Sequence, residues 1–230
     1  MKASITGSRS ELGALLARHD ARGAPLPVHI NVAGQQANTL LHDGHAWDGF
    51  TTRVLAGTRR ALRTADAEGA RMLVHASFAF VDAVERGAKL EDPLRSAVEA
   101  ILECEALALA GPVPACVVRL GYLYGPDSAD LAAYRTAFRL GRPYWSGKPR
   151  ALQYHLQQFD AVAALLRAAR SRNAGKVFYA TVGHAVSFTQ FMDAFAHRVG
   201  RARPLHLPLF SKPLARVIIR EEHMLSLIHI

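Results

Sequence analysis

Cysteine is scarce: Cys104 and Cys116 are the only two in 230 residues. Two cannot build a disulfide framework or a zinc site, so the simplest compartment is a reducing, cytoplasmic one. No apolar run approaches the length of a membrane span, and the N-terminus lacks the segments of a secretion signal. There are 11 histidines, but none forms a His-x-x-x-His pair on one helix, and no metal site is expected. Gly-x-Ser-x-Gly is absent, which argues against a hydrolase elbow. Acid is short in the second part of the chain. Residues 131–230 hold 4 Asp/Glu against 15 Lys/Arg, net +11, while residues 1–130 hold 15 against 13, net −2. A basic half attracts phosphate-bearing ligands. Without an aromatic-interleaved basic stripe it reads as an Arg-rich solvated face, not a nucleic-acid site.

What is present is a globular composition. Half of the residues are apolar and a fifth are charged. The length allows one large domain or a domain with a small cap. Short apolar runs alternate with longer helical patterns. Strands are expected at Ala3–Thr6, Val28–Val32, Arg71–Ala76, Val113–Leu120 and Lys176–Ala180. Helices are expected at Ser10–Arg18, Trp47–Ala67, Leu94–Leu109, Asp130–Leu140, Gln158–Arg170 and Ser187–Val199, with Ser10 and Ser187 as caps. Phe50, Val54, Leu55 and Leu62 form one stripe, while Arg59, Arg60 and Arg63 stay wet. Strands separated by helices of this length predict βαβ units and a parallel sheet. The strands read as apolar without alternation, which fits a sheet covered on both faces.

In such sheets ligands bind beyond the carboxyl ends of the strands. Three ends stand out: Val32-Ala33-Gly34, His75-Ala76-Ser77-Phe78, and Arg119-Leu120-Gly121-Tyr122-Leu123-Tyr124-Gly125-Pro126. With Ala56-Gly57-Thr58 in the helix between the first two, they occur in the order and spacing of the extended short-chain dehydrogenase/reductases, the NAD-dependent epimerase/dehydratase family. Gln158 to Ala163 and Gly175 to Ala180 are similar to that family's later helix start and late strand. The resemblance covers residues 3 to 200, and the Tyr-Gly-Pro segment is its most specific part.

The resemblance implies a Rossmann-like doubly wound parallel sheet with a small C-terminal cap and NAD or NADP across the strand ends. It implies a sugar-like or other carbonyl/alcohol substrate, and it leaves a homodimer open. Residues 1–180 form the core, with cap segments around 122–155, and 181–224 complete the cap. Ala33, Gly34, Ala76, Ser77, Leu120 and Gly121 are the expected cofactor contacts, Tyr122 and Asp160 lie nearer substrate, and Ser77 is the one candidate catalytic residue.

The departures are as informative. The family reaction uses a Tyr as acid/base and a Lys four residues later on the same helix. The helix before Leu109 has neither: in two registers those positions are Arg95 and Glu99, or Ala97 and Ile101. Phe78 replaces the second Ser/Thr, and Val54 the Asn before Gly-Thr. Tyr144 and Lys148 have the spacing, but Pro143, Gly147 and Pro149 argue against a helix there. The only phosphate-cradle candidate is Thr6-Gly7-Ser8-Arg9-Ser10-Glu11-Leu12-Gly13. Ser10 stands where the middle glycine belongs, and Glu11 would repel phosphate. The distance to Val28 leaves room for one helix alone. The spacing therefore favours a chain starting at an internal Met and lacking the first strand-helix-strand. Leu225–Ile230 looks like a non-native tail. Two further readings stay open: a non-catalytic Rossmann-like binding protein, and a fragment unable to fold alone because an exposed sheet edge aggregates.

Overall fold

The computed structural model describes residues 2–20, 25–34, 49–90, 92, 94–126, 128–141, 143–146, 152–170, 173–207 and 224–225. The chain runs β1 (Lys2–Thr6), α1 (Glu11–Asp20), β2 (Pro25–Asn31), α2 (Phe50–Ala67) and β3 (Met72–Phe78). Then come the short α3 (Asp82–Glu85), α4 (Leu94–Leu109), β4 (Ala115–Leu120), β5 (Tyr122–Tyr124) and α5 (Ala129–Leu140). Next are β6 (Tyr144–Ser146), β7 (Leu152–Gln153), β8 (His155–Gln157), α6 (Gln158–Arg170) and β9 (Val177–Ala180). The last elements are β10 (Val186–Ser187), α7 (Phe188–Arg198), β11 (Leu205–Leu207) and β12 (Met224–Leu225).

Five strands form the central sheet in the order β1-β2-β3-β4-β9, and every pair is parallel. This is the expected Rossmann-like α/β class. Leu12, Leu15 and Leu16 of α1 and Ala161, Val162 and Leu165 of α6 share one core with Val28, Ile30, Val32, Val74 and Val118. Phe50 and Val54 of α2 pack with Ala97, Val98, Ile101 and Cys104 of α4 in a second core. Helices thus cover both faces, and β3 and β4 are buried along their whole length.

The two faces differ in chemistry, and here the sequence reading needs correction. The strands do alternate. Ile30, Val32, Val74 and Val118 face α1 and α6, whereas the intervening His29, Asn31, His75, Ser77 and Arg119 are buried polar residues. The period-two signal is plain in Val28-His29-Ile30-Asn31-Val32, whose polar members are buried and not wet. Burial is tolerated because partners are supplied: Thr6 and His29 meet at 2.8 Å, and the others are tied as described below.

The position of β1 corrects a second expectation. The steps β1 to β2, β2 to β3 and β3 to β4 all move the same way across the sheet. Yet α1 packs with α6, while α2 packs with α4 in the other core. The first crossover therefore has the opposite hand to the next two. About 98% of such crossovers are right-handed, so the rare hand belongs to β1-α1-β2. A Rossmann sheet with order 3-2-1-4-5-6 explains it: the first helix lies on that face because the chain next steps outward to a second strand. Here only residues 21–24 separate α1 from β2, too few for that excursion. The unit lacking is the one after the first helix, and β1 occupies the first-strand place.

Smaller pairings build the rest: β5 with β8, β7 with β10, and β6 between β11 and β12. Ser187 caps α7 through a reciprocal capping box with Gln190. Of the suspected tail only Leu225 is described, where β12 runs parallel to β6. Lys148 and Trp47 lie outside the described residues. Among the described residues, no helix is long and apolar enough to cross a membrane.

Candidate functional site

The turn after β1 reverses direction within a few residues. Gly7 has φ +88°, and a Cβ there would stand 2.8 Å from the Ala33 nitrogen. A Cβ on Gly13 would fall inside the carbonyl of Gly7, so helix and strand can meet this closely only without it. These are the tight-turn and close-packing roles of the outer glycines in a dinucleotide cradle. Ser10 fits the middle place because its side chain folds inward. Its hydroxyl donates to the Gly7 carbonyl at 2.8 Å and accepts from the Gly13 N–H at 3.0 Å, capping α1. The helix N-terminus keeps its partial positive charge. Glu11 is drawn toward α6, where Gln158 Nε2 donates to its carboxylate at 3.2 Å, and Glu11 does not line the cleft.

The second wall is the turn after β2. The Asn31 side-chain oxygen Oδ1 accepts from the Ala33 N–H at 3.0 Å. Its amide donates to His75 Nδ1 at 2.9 Å and to Thr58 Oγ1 at 3.4 Å. A ring that accepts at Nδ1 carries its proton on Nε2. Burial holds the His75 pKa down at about 4, so the imidazole is neutral. Asn31 therefore pins the Ala33-Gly34 turn to both β3 and α2.

Between these walls opens a cleft of about 490 Å³ lined by Gly7, Ser10, Ala33, Gly34, Gly57 and three arginines, Arg9, Arg53 and Arg60, among others. The arginines are exposed, and no Asp or Glu is among the described lining residues. Small residues bring ligand close to backbone, and the guanidinium groups favour an anion. A dinucleotide's pyrophosphate fits this donor set. Arg9, Arg53 and Arg60 were not singled out as ligands from the sequence, where nothing shows that a turn and a helix far apart in the chain face one cleft.

The other expected residues fall at the same rim. Asn31 lies opposite His75 and Phe78 opposite Leu120, so Gly34, Ser77 and Gly121 stand at neighbouring carboxyl ends. Ala33 and Gly34 line the cleft. Ala76, Ser77 and Leu120 are buried at 1–3% exposure. Gly121 is covered by chain, with its N–H on the Ala180 carbonyl and the Tyr122 N–H on the Tyr154 carbonyl. The Tyr122 hydroxyl donates to Asp130 at 2.6 Å, and burial pushes its pKa well up. Asp160 is exposed in the first turn of α6.

Ser77 does not face an open substrate space. Its hydroxyl donates to Glu105 at 2.5 Å. Glu105 in turn accepts from Arg119 Nε and Nη2, at 2.9 and 2.7 Å. Arg119 also reaches Glu85 at 2.5 Å and the Tyr179 hydroxyl at 2.7 Å, and Tyr179 donates to Asp82 at 3.1 Å. Ser77, Glu105 and Arg119 form a buried network that clamps α4, β3 and β4 together, and the more exposed Glu85, Tyr179 and Asp82 extend it to α3 and β9. Arg95 and Glu99 are exposed, and Ala97 and Ile101 are buried apolar, so neither register places a Tyr and Lys pair on α4.

No protein-family model and no curated protein matches the sequence. Solved structures do match in fold. The human epimerase family protein SDR39U1, a complex with NADPH, superposes with TM-score 0.73 at 17% identity, over 98% of this chain and 88% of that one. RMD from Pseudomonas aeruginosa, also with NADPH, gives 0.70 at 17% identity, over 90% and 84%. UDP-glucose 4-epimerase of Thermotoga maritima, with UDP-glucose, gives 0.70 at 14% identity, over 90% and 86%. At these identities the likeness establishes a shared Rossmann architecture.

Proposed function

We propose that the chain is a nicotinamide-dinucleotide-binding protein of the extended short-chain dehydrogenase/reductase type, an NAD(P)-dependent oxidoreductase or epimerase-like protein acting on a sugar-like or other carbonyl/alcohol substrate. One observation carries this reading: the Gly7–Gly13 turn, capped by Ser10, shares a cleft with Ala33, Gly34 and three arginines. The ordered strand-end motifs and the NADPH-bound and nucleotide-sugar-bound structural neighbours support it. When bound, the dinucleotide supplies hydride transfer at its nicotinamide ring. In this reading the α1 N-terminus and the arginines hold the phosphates. Asn31, His75 and Thr58 keep the Ala33-Gly34 wall in place, and the Tyr122–Asp130 hydrogen bond ties β5 to α5 on the substrate side.

A second reading is binding without redox turnover. The occupied hydroxyl of Ser77 and the lack of Tyr or Lys on α4 favour it. Two measurements test both. Titration of NAD(H) and NADP(H) into the purified chain should show saturable binding, and none at millimolar cofactor refutes the dinucleotide reading. Assays across aldehydes, ketones and nucleotide sugars then separate the two. Turnover supports the enzyme and refutes the second reading. Tight binding without turnover does the reverse.

A further inference from the structure

We infer that His155 is an acid-sensitive latch: its neutral ring, packed against Phe191, holds α7 on the rim of the central sheet, and protonation opens that joint while the sheet stays folded. The inference is independent of which ligand the cleft takes.

Two apolar clusters meet at this ring. Phe188, Met192 and Ala196 of α7 pack with Leu131, Tyr134 and Phe138 of α5 in a cluster of their own. The sheet builds another with α1 and α6. Tyr124 of β5 and Phe191 of α7 lie at the border of the first, and His155 touches both. Its ring stacks on Phe191 at 4.4 Å, with the planes 9° apart. It meets Tyr122 edge-on at 5.4 Å and Tyr124 at 6.3 Å. The backbone of His155 belongs to the sheet side. β8 pairs with β5 along Tyr122–Tyr124, and the His155 carbonyl accepts from the Val182 N–H at 3.1 Å, just past β9. The other ties across the joint are small: an edge-on contact of Tyr124 with Phe191 at 6.0 Å and the two-residue pairing of β10 with β7. The joint closes over the strand ends, since a Cβ on Gly121 would stand 2.5 Å from the Tyr154 carbonyl oxygen.

A neutral imidazole is at home here and an imidazolium is not. His155 is 4% exposed, and neither ring nitrogen makes a well-aligned hydrogen bond among the described residues. The charged ring carries two N–H donors, and each costs free energy when buried without an acceptor. From β5 the ring faces the phenol groups of Tyr122 and Tyr124, from α7 it faces Phe191, and from the β7–β8 turn the Gln153 backbone. Asp130 of α5 stands behind Tyr122, whose hydroxyl it accepts at 2.6 Å; no described carboxylate pairs with the imidazole. Aromatic faces attract a cation, but burial dominates and holds the pKa down at about 4, against a smaller opposing pull from the Gln153 backbone. Once the joint opens, the ring regains the ordinary 6.5. The closed state therefore has its full advantage above pH 6.5 and loses it as pH falls toward 4. Those two values raise the ratio of open to closed joint about thirtyfold between about pH 7.5 and 5.

The test is hydrogen–deuterium exchange of the full chain at about pH 7.5 and 5, corrected for intrinsic rates and run where exchange follows the opening equilibrium. Exchange at Val182 and along α7 should rise about thirtyfold, while β3 and β4 change little. In His155→Phe, which keeps an aromatic ring and removes the proton site, most of that rise should vanish. Phe191→Ala truncates a partly buried side chain and decides the matter should His155→Phe fail to fold. It should exchange fast along α7 already at the higher pH, with little further rise at the lower. A merely structural contact would speed exchange equally at both. An α7 that does not respond to acid overturns the latch. So does an equal rise in β3 and α7, which is global unfolding, or a full rise that persists in either variant.

Discussion

Removing the Glu105 carboxylate should unfold this protein far more readily than removing that of Glu85, although both pair with the same arginine. Arg119 and Glu105 have side chains 5% and 6% exposed, whereas Glu85 is 44% exposed. Glu105→Ala strands the buried guanidinium on the side facing α4 and leaves Ser77 without its acceptor. Breaking a buried pair from one side costs about 3–5 kcal/mol, because the remaining charge stays desolvated. Arg119 keeps Glu85 and Tyr179, which places the loss near about 3 kcal/mol, a large share of a typical domain's stability. Glu85→Ala removes a half-solvated partner whose place water can take, and should cost about 1 kcal/mol or less. Replacing both buried charges, as Arg119→Met/Glu105→Leu, should recover most of the loss. Urea unfolding followed by circular dichroism measures all three, with a constant m-value as the check on two-state behaviour. A Glu105→Ala loss no larger than that of Glu85→Ala would refute the argument, since it would mean that the network is solvated.

Other expectations follow from the same geometry. Gly13→Ala drives a Cβ into the Gly7 carbonyl, which is backbone and cannot swing aside. It should cost about 1–3 kcal/mol and weaken dinucleotide binding, read by melting temperature and calorimetry; an unchanged affinity would remove Gly13 from the cradle. Burial holds His75 and His155 at about 4, below the ordinary 6.5. The folded state keeps both neutral while the unfolded chain takes up protons below 6.5. Their contribution is complete above that value and is lost as pH falls toward 4, at about 1.4 kcal/mol per pH unit for each at its steepest. His155, stacked on Phe191 at 4.4 Å, can be tested alone: His155→Phe should flatten the stability profile between about pH 6.5 and 4, and an unaltered slope contradicts this.

Much of the architecture was legible in the chain itself. The limits Leu94–Leu109 and Gln158–Arg170 match the helices found, and Ser10 and Ser187 cap as read. These features are local: apolar spacing, a hydroxyl at a helix start and a glycine stop act within a few residues. The convergence of strand-end segments also followed from sequence order, because a parallel sheet puts all carboxyl ends on one edge. The short strands β5 to β8 and β10 to β12 carried no comparable signal, since two or three residues cannot show a period.

What the order of residues could not convey is which distant groups meet. Ser77 reads as a strand-end hydroxyl ready for substrate, and only the packing of α4 gives it Glu105. Arg60 reads as wet, and so it is, but it is wet on the same cleft as Arg9. The hand of the first crossover could not be inferred, because it depends on which face α1 covers. Sequence fixes short-range conformational preference through backbone and side-chain sterics. Charge pairing, burial of polar groups and chirality of connection arise only when separate elements pack, and those three determine what this cleft can hold.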